Sequence, residues 1–387
     1  MQRKVAGLRA ILRRDRLSMR DLAKDAGIPE STLHYWASSG VIPKKHRAQL
    51  ARVIGCEEHE LAPAYEQRPI IQDHIMVYEE MDRFFTFGRL KTNEIILDGD
   101  GEGVYLPEHI HAHYYPVAES LPQEFQERKE RIAREQEKRE EQGNSYQWNG
   151  ERYNLVKFNI SRDPANEDMT LGLWFRPSDY YTFLATSAAV QEPEIRKKYL
   201  EDVEWDEAIP LFAHSFSVLL TVLTSDGQTI LVKRGKGLGC RPNTYDVSVA
   251  EGLSRSMDRS TISQAPDIHR CAARGLAEEL GLHAPADFSL SDIQLTTFAV
   301  DTEYAMWSLF GLVKVERRLE EVLEAMRRRA RDKFEQQRIF HMPFTPEEVV
   351  AFVFEHQPFS PGGLVCLYHA LVHEYGHEKV DSILATF

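Results

Sequence analysis

The chain has 387 residues, 42% of them hydrophobic and 28% charged, enough for two or three domains with sizeable cores. Its net charge of -13 excludes a protein coated all over in basic charge for nucleic acid. The charge is uneven: residues 1–60 carry 12 Lys and Arg against 7 Asp and Glu, a net of +5, while the remainder carries 35 against 53, a net of -18. A small basic head on an acidic body predicts a local nucleic-acid contact.

Val5, Leu8, Ile11 and Leu12 recur at helical spacing and predict a helix over 3–14. Ser18 followed by Asp21 is a capping-box-like start, with Asp in place of Glu. Leu22, Ala23 and Ala26 face inward from the helix it opens, and Gly27 stops that helix. Pro29 and Glu30 open a third helix through Trp36. A fourth runs from Lys44 to Ile54, and Glu57 to Leu61 adds a last turn. Short helices, a Gly turn and a positive rim match a helix-turn-helix.

The run Leu17-Ser18-Met19-Arg20-Asp21-Leu22-Ala23-Lys24-Asp25-Ala26-Gly27-Ile28-Pro29-Glu30-Ser31-Thr32-Leu33 resembles the helix-turn-helix of phage-repressor-like (XRE-type) bacterial transcriptional regulators. That resemblance implies a third helix in the major groove of double-stranded DNA. Ser31, Thr32, His34 and Tyr35 are then the expected contact residues, and Arg20, Lys44, Lys45 and Arg47 the expected phosphate contacts. Leu33 and Trp36 are expected in the core. A helical bundle used for protein contact or dimerisation is the alternative for residues 1–62.

Residues 63–145 read as a linker and a charged helical segment. Pro63 to Pro69 is the linker, and Ile75, Tyr78, Met81 and Phe84 share a helix face. Glu94–Leu97 and Gly103–Leu106 read as short strands around the turn between them. His109, His111 and His113 alternate, so a strand places three zinc-type donors on one face; a polar, half-exposed strand end has the same pattern. Residues 122–142 are dominated by Glu, Arg, Lys and Gln, as in a solvated helix or a connector.

From Tyr146 a new folded unit is expected. Tyr153–Ile160 and Thr170–Phe175 are strand-like, and Pro177–Leu184 starts a helix or turn whose aromatics suit a core. Phe216–Thr224 and Thr229–Arg234 form a hairpin around Asp226-Gly227. Tyr245–Ala250 is a third strand, ending in Glu251-Gly252. Ile268–Leu280 is a helix, followed by a strand over Ala305–Val313. That helix carries Arg274, Glu278 and Glu279 and closes at Gly281. Adjacent carboxylates suit Mg2+, which takes oxygen ligands, keeps several waters and activates one of them beside a diphosphate. Arg274 and Glu278 form an i,i+4 pair.

The run Arg274-Gly275-Leu276-Ala277-Glu278-Glu279-Leu280-Gly281-Leu282, in this order of strands, resembles the Nudix motif Gly-x5-Glu-x7-Arg-Glu-U-x-Glu-Glu-x-Gly-U, with U aliphatic. Nudix enzymes hydrolyse nucleoside diphosphates linked to another moiety. The resemblance implies Glu278, Glu279 and Arg274 as the catalytic set, Mg2+ on Glu278 and Glu279, and Arg274 orienting a carboxylate. It makes Glu251 and Gly252 the substrate-side glycine loop. Two departures stand against turnover: Gly275 replaces the Glu of the Arg-Glu pair, and Pro266 stands where the motif wants Glu. The stretch from Gly252 to Arg274 is also longer than the family's. Lys233 and Arg234 follow a strand, placed to meet a nucleotide's phosphate or to rim a sheet edge. Gly235-Lys236-Gly237-Leu238-Gly239 lacks the ending of a P-loop.

Leu319, Val322, Leu323 and Met326 share a helix face, and helices follow from Pro346 and from Pro361 to Tyr375. The expected architecture is therefore multidomain. An all-α helix-turn-helix head (1–62) and a linker precede an α/β (α+β) Nudix-like domain with N-terminal extension (146–330) and a helical C-terminal extension (331–387). Cys56, Cys240, Cys271 and Cys366 form no Cys-x-x-Cys pair, and no apolar run or secretion signal is evident, so a cytoplasmic protein off the membrane is expected. Three functions fit: a dimeric DNA-binding regulator sensing a nucleotide-like molecule, a Mg2+-dependent pyrophosphatase, or a protein-interaction module.

Overall fold

The computed structural model describes residues 18–39, 42–54, 56, 61, 83–164, 166–201, 203–236, 240–330 and 336–387, with backbone only at 35, 37–39, 336 and 337. The expected helix over 3–14, the linker at 63–69 and the helix face at 75–81 lie outside the described residues. The chain divides into two units, Met1–Met81 and Asp82–Phe387.

In the first unit α1 (Met19–Ala26), α2 (Glu30–Ser39) and α3 (Lys44–Ile54) surround one small core. Ser18 caps α1 by accepting from the Asp21 amide, and Gly27 ends it in the left-handed region at φ +63°. Leu22, Leu33, Trp36 and Leu50 fill the centre.

The second unit is a mixed α/β body around an eight-stranded sheet. Its strands in chain order are β1 (Glu94–Asp98), β2 (Phe216–Leu223), β3 (Gln228–Arg234), β4 (Tyr245–Asp246), β5 (Val249–Gly252), β6 (Ile293–Asp301), β7 (Met306–Lys314) and β8 (Gln336–Pro343). The main path runs β8-β3-β2-β7-β6-β1, with β5 also on β2 and β4 also on β3. β2 and β7 are parallel; the other pairs are antiparallel.

Alternation along these strands shows that the sheet is covered on both faces. Val218, Leu220 and Val222 of β2 join one core with Trp307 and Leu309 of β7, while Leu219, Leu223, Phe310 and Leu312 join the other. The first face is covered by α7 (Ile268–Leu280) and α8 (Leu319–Arg329). Buried side chains of a three-stranded sheet (Ile110–Tyr114, Glu151–Arg162 and Met169–Asp179) join the same core. Between α3 and α7 along the chain come α4 (Gln123–Glu141), α5 (Tyr180–Ala185) and α6 (Pro193–Leu200). The second face is covered by α9 (Pro346–Glu355), α10 (Pro361–Tyr375) and α11 (His377–Leu384). Gly281 (φ +68°) ends α7, and a Cβ there would come within 2.6 Å of the Ala325 carbonyl, so this glycine lets α7 and α8 approach.

Three expected boundaries change. Residues 94–98 lie within the segment read as a linker, yet they pair with β6 and extend the sheet. Gly103–Leu106 does not form the partner strand expected for them; only Tyr105 bridges, to Leu295. The C-terminal segment is not purely helical, because β8 forms an edge of the main sheet. The charged helix α4 is also docked: Phe125 is fully buried, and Arg128 and Lys129 pair with Glu192 and Asp179.

Candidate functional site

Helix α7 starts at Asp267, whose side chain accepts from the Arg270 amide. Ile268, Cys271, Ala272, Leu276 and Leu280 are buried on the sheet. At Gly275 the helix comes very close to β5: a Cβ there would lie 2.6 Å from Val249 Cγ1 and 2.9 Å from Glu251 Cβ. The space that the Nudix motif gives to a glutamate is therefore filled from β5.

This approach builds an ion cluster on Arg274. Its Nε donates to Asp258 Oδ1 (2.8 Å), and Nη2 donates to Asp258 Oδ2 (2.8 Å) and to the Gly252 carbonyl (2.9 Å). Nη1 donates to Glu278 Oε2 (2.9 Å) and pairs with Glu251 Oε1 (3.0 Å). These five contacts match the five N–H donors of a guanidinium. Burial works against the Arg274 charge, but its bonds to Asp258 and the field of Glu251 outweigh that and raise its pKa. Glu279 is engaged elsewhere, with Oε1 accepting from the Ala250 amide at 3.0 Å.

Asp258 is fully buried and also accepts from the Ser254 amide at 2.7 Å. Sequence reading missed it by counting the motif backwards from Arg274. Counted forwards, Gly252 is followed after five residues by Asp258, the motif's Gly-x5-Glu spacing with a shorter acid. The extra length falls after Asp258.

Mg2+ wants near-octahedral oxygen ligands at about 2.1 Å. Here Glu251, Asp258 and Glu278 face a guanidinium, Glu279 holds a backbone amide, and position 275 supplies no carboxylate. Among the described residues no group of three or more His, Cys, Asp or Glu is arranged to hold a metal ion. The residues fit an arginine-centred cluster and do not fit an oxygen cage. The three histidines do not converge either. His113 stacks on Trp174 with ring centroids 4.8 Å apart, and His109 Nδ1 lies 3.9 Å from Asp168.

Burial raises the Glu251 pKa to about 7; Glu278 adds to this and Arg274 opposes it. A carboxyl whose folded pKa exceeds its unfolded value contributes stability at low pH and loses it as pH rises through the folded value. The melting temperature of the wild type, compared with Glu251→Gln, is therefore expected to fall as pH rises from 5 to 8. Parallel melting curves across that range would contradict it.

A cavity of about 270 Å³ lies beside the cluster. One end carries Arg152, Tyr180, Glu251, Gly252 and Glu278, and the other Glu94, Arg234, Arg241, Asp246 and Asp301. Arg234 pairs with Asp246 (3.3 Å) and Arg241 with Asp301 (2.6 Å). Arg152 lies over the Tyr180 ring at 5.6 Å and, among the described residues, has no carboxylate partner within ion-pair distance.

Of the residues expected from sequence, Arg234, Glu251, Gly252 and Glu278 line this cavity. Arg274 and Glu279 act through them, fixing Glu251, Gly252, Glu278 and the Ala250 amide. Lys233 does not line it; its ammonium sits over the Tyr245 ring at 4.7 Å. Arg152, Glu94, Arg241 and Asp301 were not singled out, because single polar residues on separate strands leave no local spacing signal.

In the first unit Arg20, Ser31, His34, Lys44 and Lys45 are exposed and Thr32 is half-buried. The Tyr35 side chain lies outside the described residues. Arg47 departs from its expected role as a phosphate contact. It is buried, and its Nε donates to the Ile42 carbonyl at 2.6 Å, which ties it to the segment before α3.

No family model matches the chain, and no curated protein matches it. Among solved structures it is similar to the crystal structure of DR0079 from Deinococcus radiodurans, at 15% identity and a TM-score of 0.26, over 40% of this chain and 81% of that one.

Proposed function

We propose that the chain is a DNA-binding transcriptional regulator whose Nudix-like body binds a nucleotide-like or phosphorylated effector without hydrolysing it. The observation that carries this reading is the saturated Arg274 cluster. It keeps the carboxylates of a Nudix-type site engaged in holding the wall of a cavity, and Gly275 supplies no carboxylate of its own. Arg152, aromatic-backed and without an ion-pair partner among the described residues, is the anchor for the effector's anionic group. The exposed Arg20, Lys44 and Lys45 are the phosphate contacts of the head, and Ser31, Thr32 and His34 present polar groups to base edges. A two-fold operator read by a homodimer completes the reading.

Titration of the full chain with duplex DNA over a range of salt tests the first half. Log affinity falls with log salt at about 0.9 per phosphate contact. The triple variant Arg20→Ala, Lys44→Ala, Lys45→Ala is expected to lower that slope by roughly two to three contacts per protomer. An unchanged slope, or no duplex binding by the wild type, removes the DNA reading and leaves the interaction-module alternative. A panel of nucleoside diphosphate derivatives, read for thermal shift with and without Mg2+, tests the second half.

A further inference from the structure

Glu94 is 3% exposed, lines the cavity, and its Oε2 has no hydrogen-bond partner among the described residues. Leaving a buried carboxyl oxygen without a donor disfavours the fold, so an orphan of this kind calls for an explanation. Its surroundings sharpen the question. Glu94 and Asp301 are cross-strand partners in the β1–β6 ladder, a pairing of like charges that disfavours the fold. Burial raises the Glu94 pKa well above the usual carboxylate range, and Asp301 raises it further. The field of Arg241 offsets this only in part, and its guanidinium is engaged with Asp301 and Glu303 at 2.6 and 2.9 Å. Asp246, in the same end of the cavity, already accepts from Ser360 Oγ at 2.7 Å and pairs with Arg234.

Among the described residues this end therefore offers acceptor groups, one of them unused, and no free cation for an anion. A neutral carboxyl presents one O–H donor and one C=O acceptor side by side. That pair complements an exocyclic amino group next to a ring nitrogen. The cavity is also lined by the small side chains of Ser217, Ser308 and Ala250, with Ser217 Oγ and Ser308 Oγ hydrogen-bonded to each other at 2.7 Å, which leaves room for a planar ring.

We propose that the Glu94 end of the cavity binds the amino-bearing edge of a planar nitrogen heterocycle of the nucleobase type, with Glu94 as the reading group. Asp301 positions Glu94 across the ladder and Arg241 holds Asp301. The inference rests on the effector-binding reading above and adds which part of the effector points where: ring towards Glu94, anionic group towards Arg152.

The test uses the full chain with adenosine, cytidine, purine riboside and ribose 5-phosphate as probes, by calorimetric titration and thermal shift. Adenosine is expected to bind about tenfold more tightly than purine riboside, which keeps the ring nitrogens and lacks the amino group. Glu94→Leu is expected to abolish that preference and weaken adenosine and cytidine about tenfold. It should leave ribose 5-phosphate binding unchanged. The same substitution removes an unpartnered buried carboxyl and should raise the melting temperature by about 2–4 °C, which separates lost recognition from lost folding. Equal binding of adenosine and purine riboside, or unchanged nucleoside binding by Glu94→Leu, overturns the proposal. So does a Glu94-dependent stabilisation by Mn2+ alone that matches the nucleosides. If ribose 5-phosphate binds while the nucleosides go undiscriminated, this inference fails and the effector reading stands. If no probe binds, both fail.

Discussion

Arg274→Met is expected to destabilise the protein by about 3–5 kcal/mol at neutral pH, with a fall in melting temperature of about 10 °C. Methionine keeps much of the volume and the helix propensity of the site, so the loss reports the charge. Asp258 is fully buried and Glu251 half-buried, and both would lose their counter-charge at once. The Gly252 carbonyl would lose a donor at the same time. Part of the loss should be recovered at acid pH, where Glu251 takes up a proton. Urea denaturation of wild type and variant measures it; a difference below about 1 kcal/mol, as for an exposed pair, would contradict a structural role for the cluster.

Gly275→Glu restores the letter of the Nudix motif and is expected to harm the protein. The new Cβ would fall 2.6 Å from Val249 Cγ1 and 2.9 Å from Glu251 Cβ, so α7 and β5 must move apart. Overpacking of this kind costs about 1–3 kcal/mol. It would also bring a fourth carboxylate to Glu251, Glu278 and Asp258 with no added positive charge. The expected result is a lower melting temperature and no gain of Mg2+-dependent hydrolysis. A stable variant that acquires turnover would show that the glycine alone silences the site.

The local elements were legible because their patterns are local. The 3.6-residue spacing of Ile268, Cys271, Ala272 and Leu276 with Gly281 at the end marks α7, and the observed helix spans the expected residues. Nearly continuous apolar runs mark β2 and β7, as strands covered on both faces require, and Asp226-Gly227 marks the turn between β2 and β3. Ser18 and Gly27 bracket α1 for the same reason, since caps are read from neighbouring residues.

What escaped the sequence is set by pairing over distance. Residues 94–98 look like any short apolar strand; nothing local says that they join β6, some two hundred residues on. Glu94 therefore carried no signal, although its pairing with Asp301 makes it the most unusual acid in the cavity. Arg47 looks like a helix-surface cation, yet it is buried and donates to the Ile42 carbonyl, a partner that the sequence cannot place. The Glu-Glu pair on α7 reads as a metal site because spacing shows that carboxylates are adjacent, not what already occupies them. Glu279 on the Ala250 amide and Glu278 on Arg274 are facts of packing between α7 and β5. Asp258 is the intermediate case, visible in the spacing once the insertion is placed after it.

The central claim is that the body binds its ligand and leaves it intact. The most direct measurement is release of phosphate or nucleoside monophosphate from a panel of nucleoside diphosphate derivatives, with and without Mg2+, by wild type and Glu278→Gln, alongside thermal shift on the same samples. The account predicts stabilisation by at least one compound, with product release at the buffer background in both proteins. Mg2+-dependent turnover in the wild type that disappears in Glu278→Gln would contradict it and make the chain a pyrophosphatase.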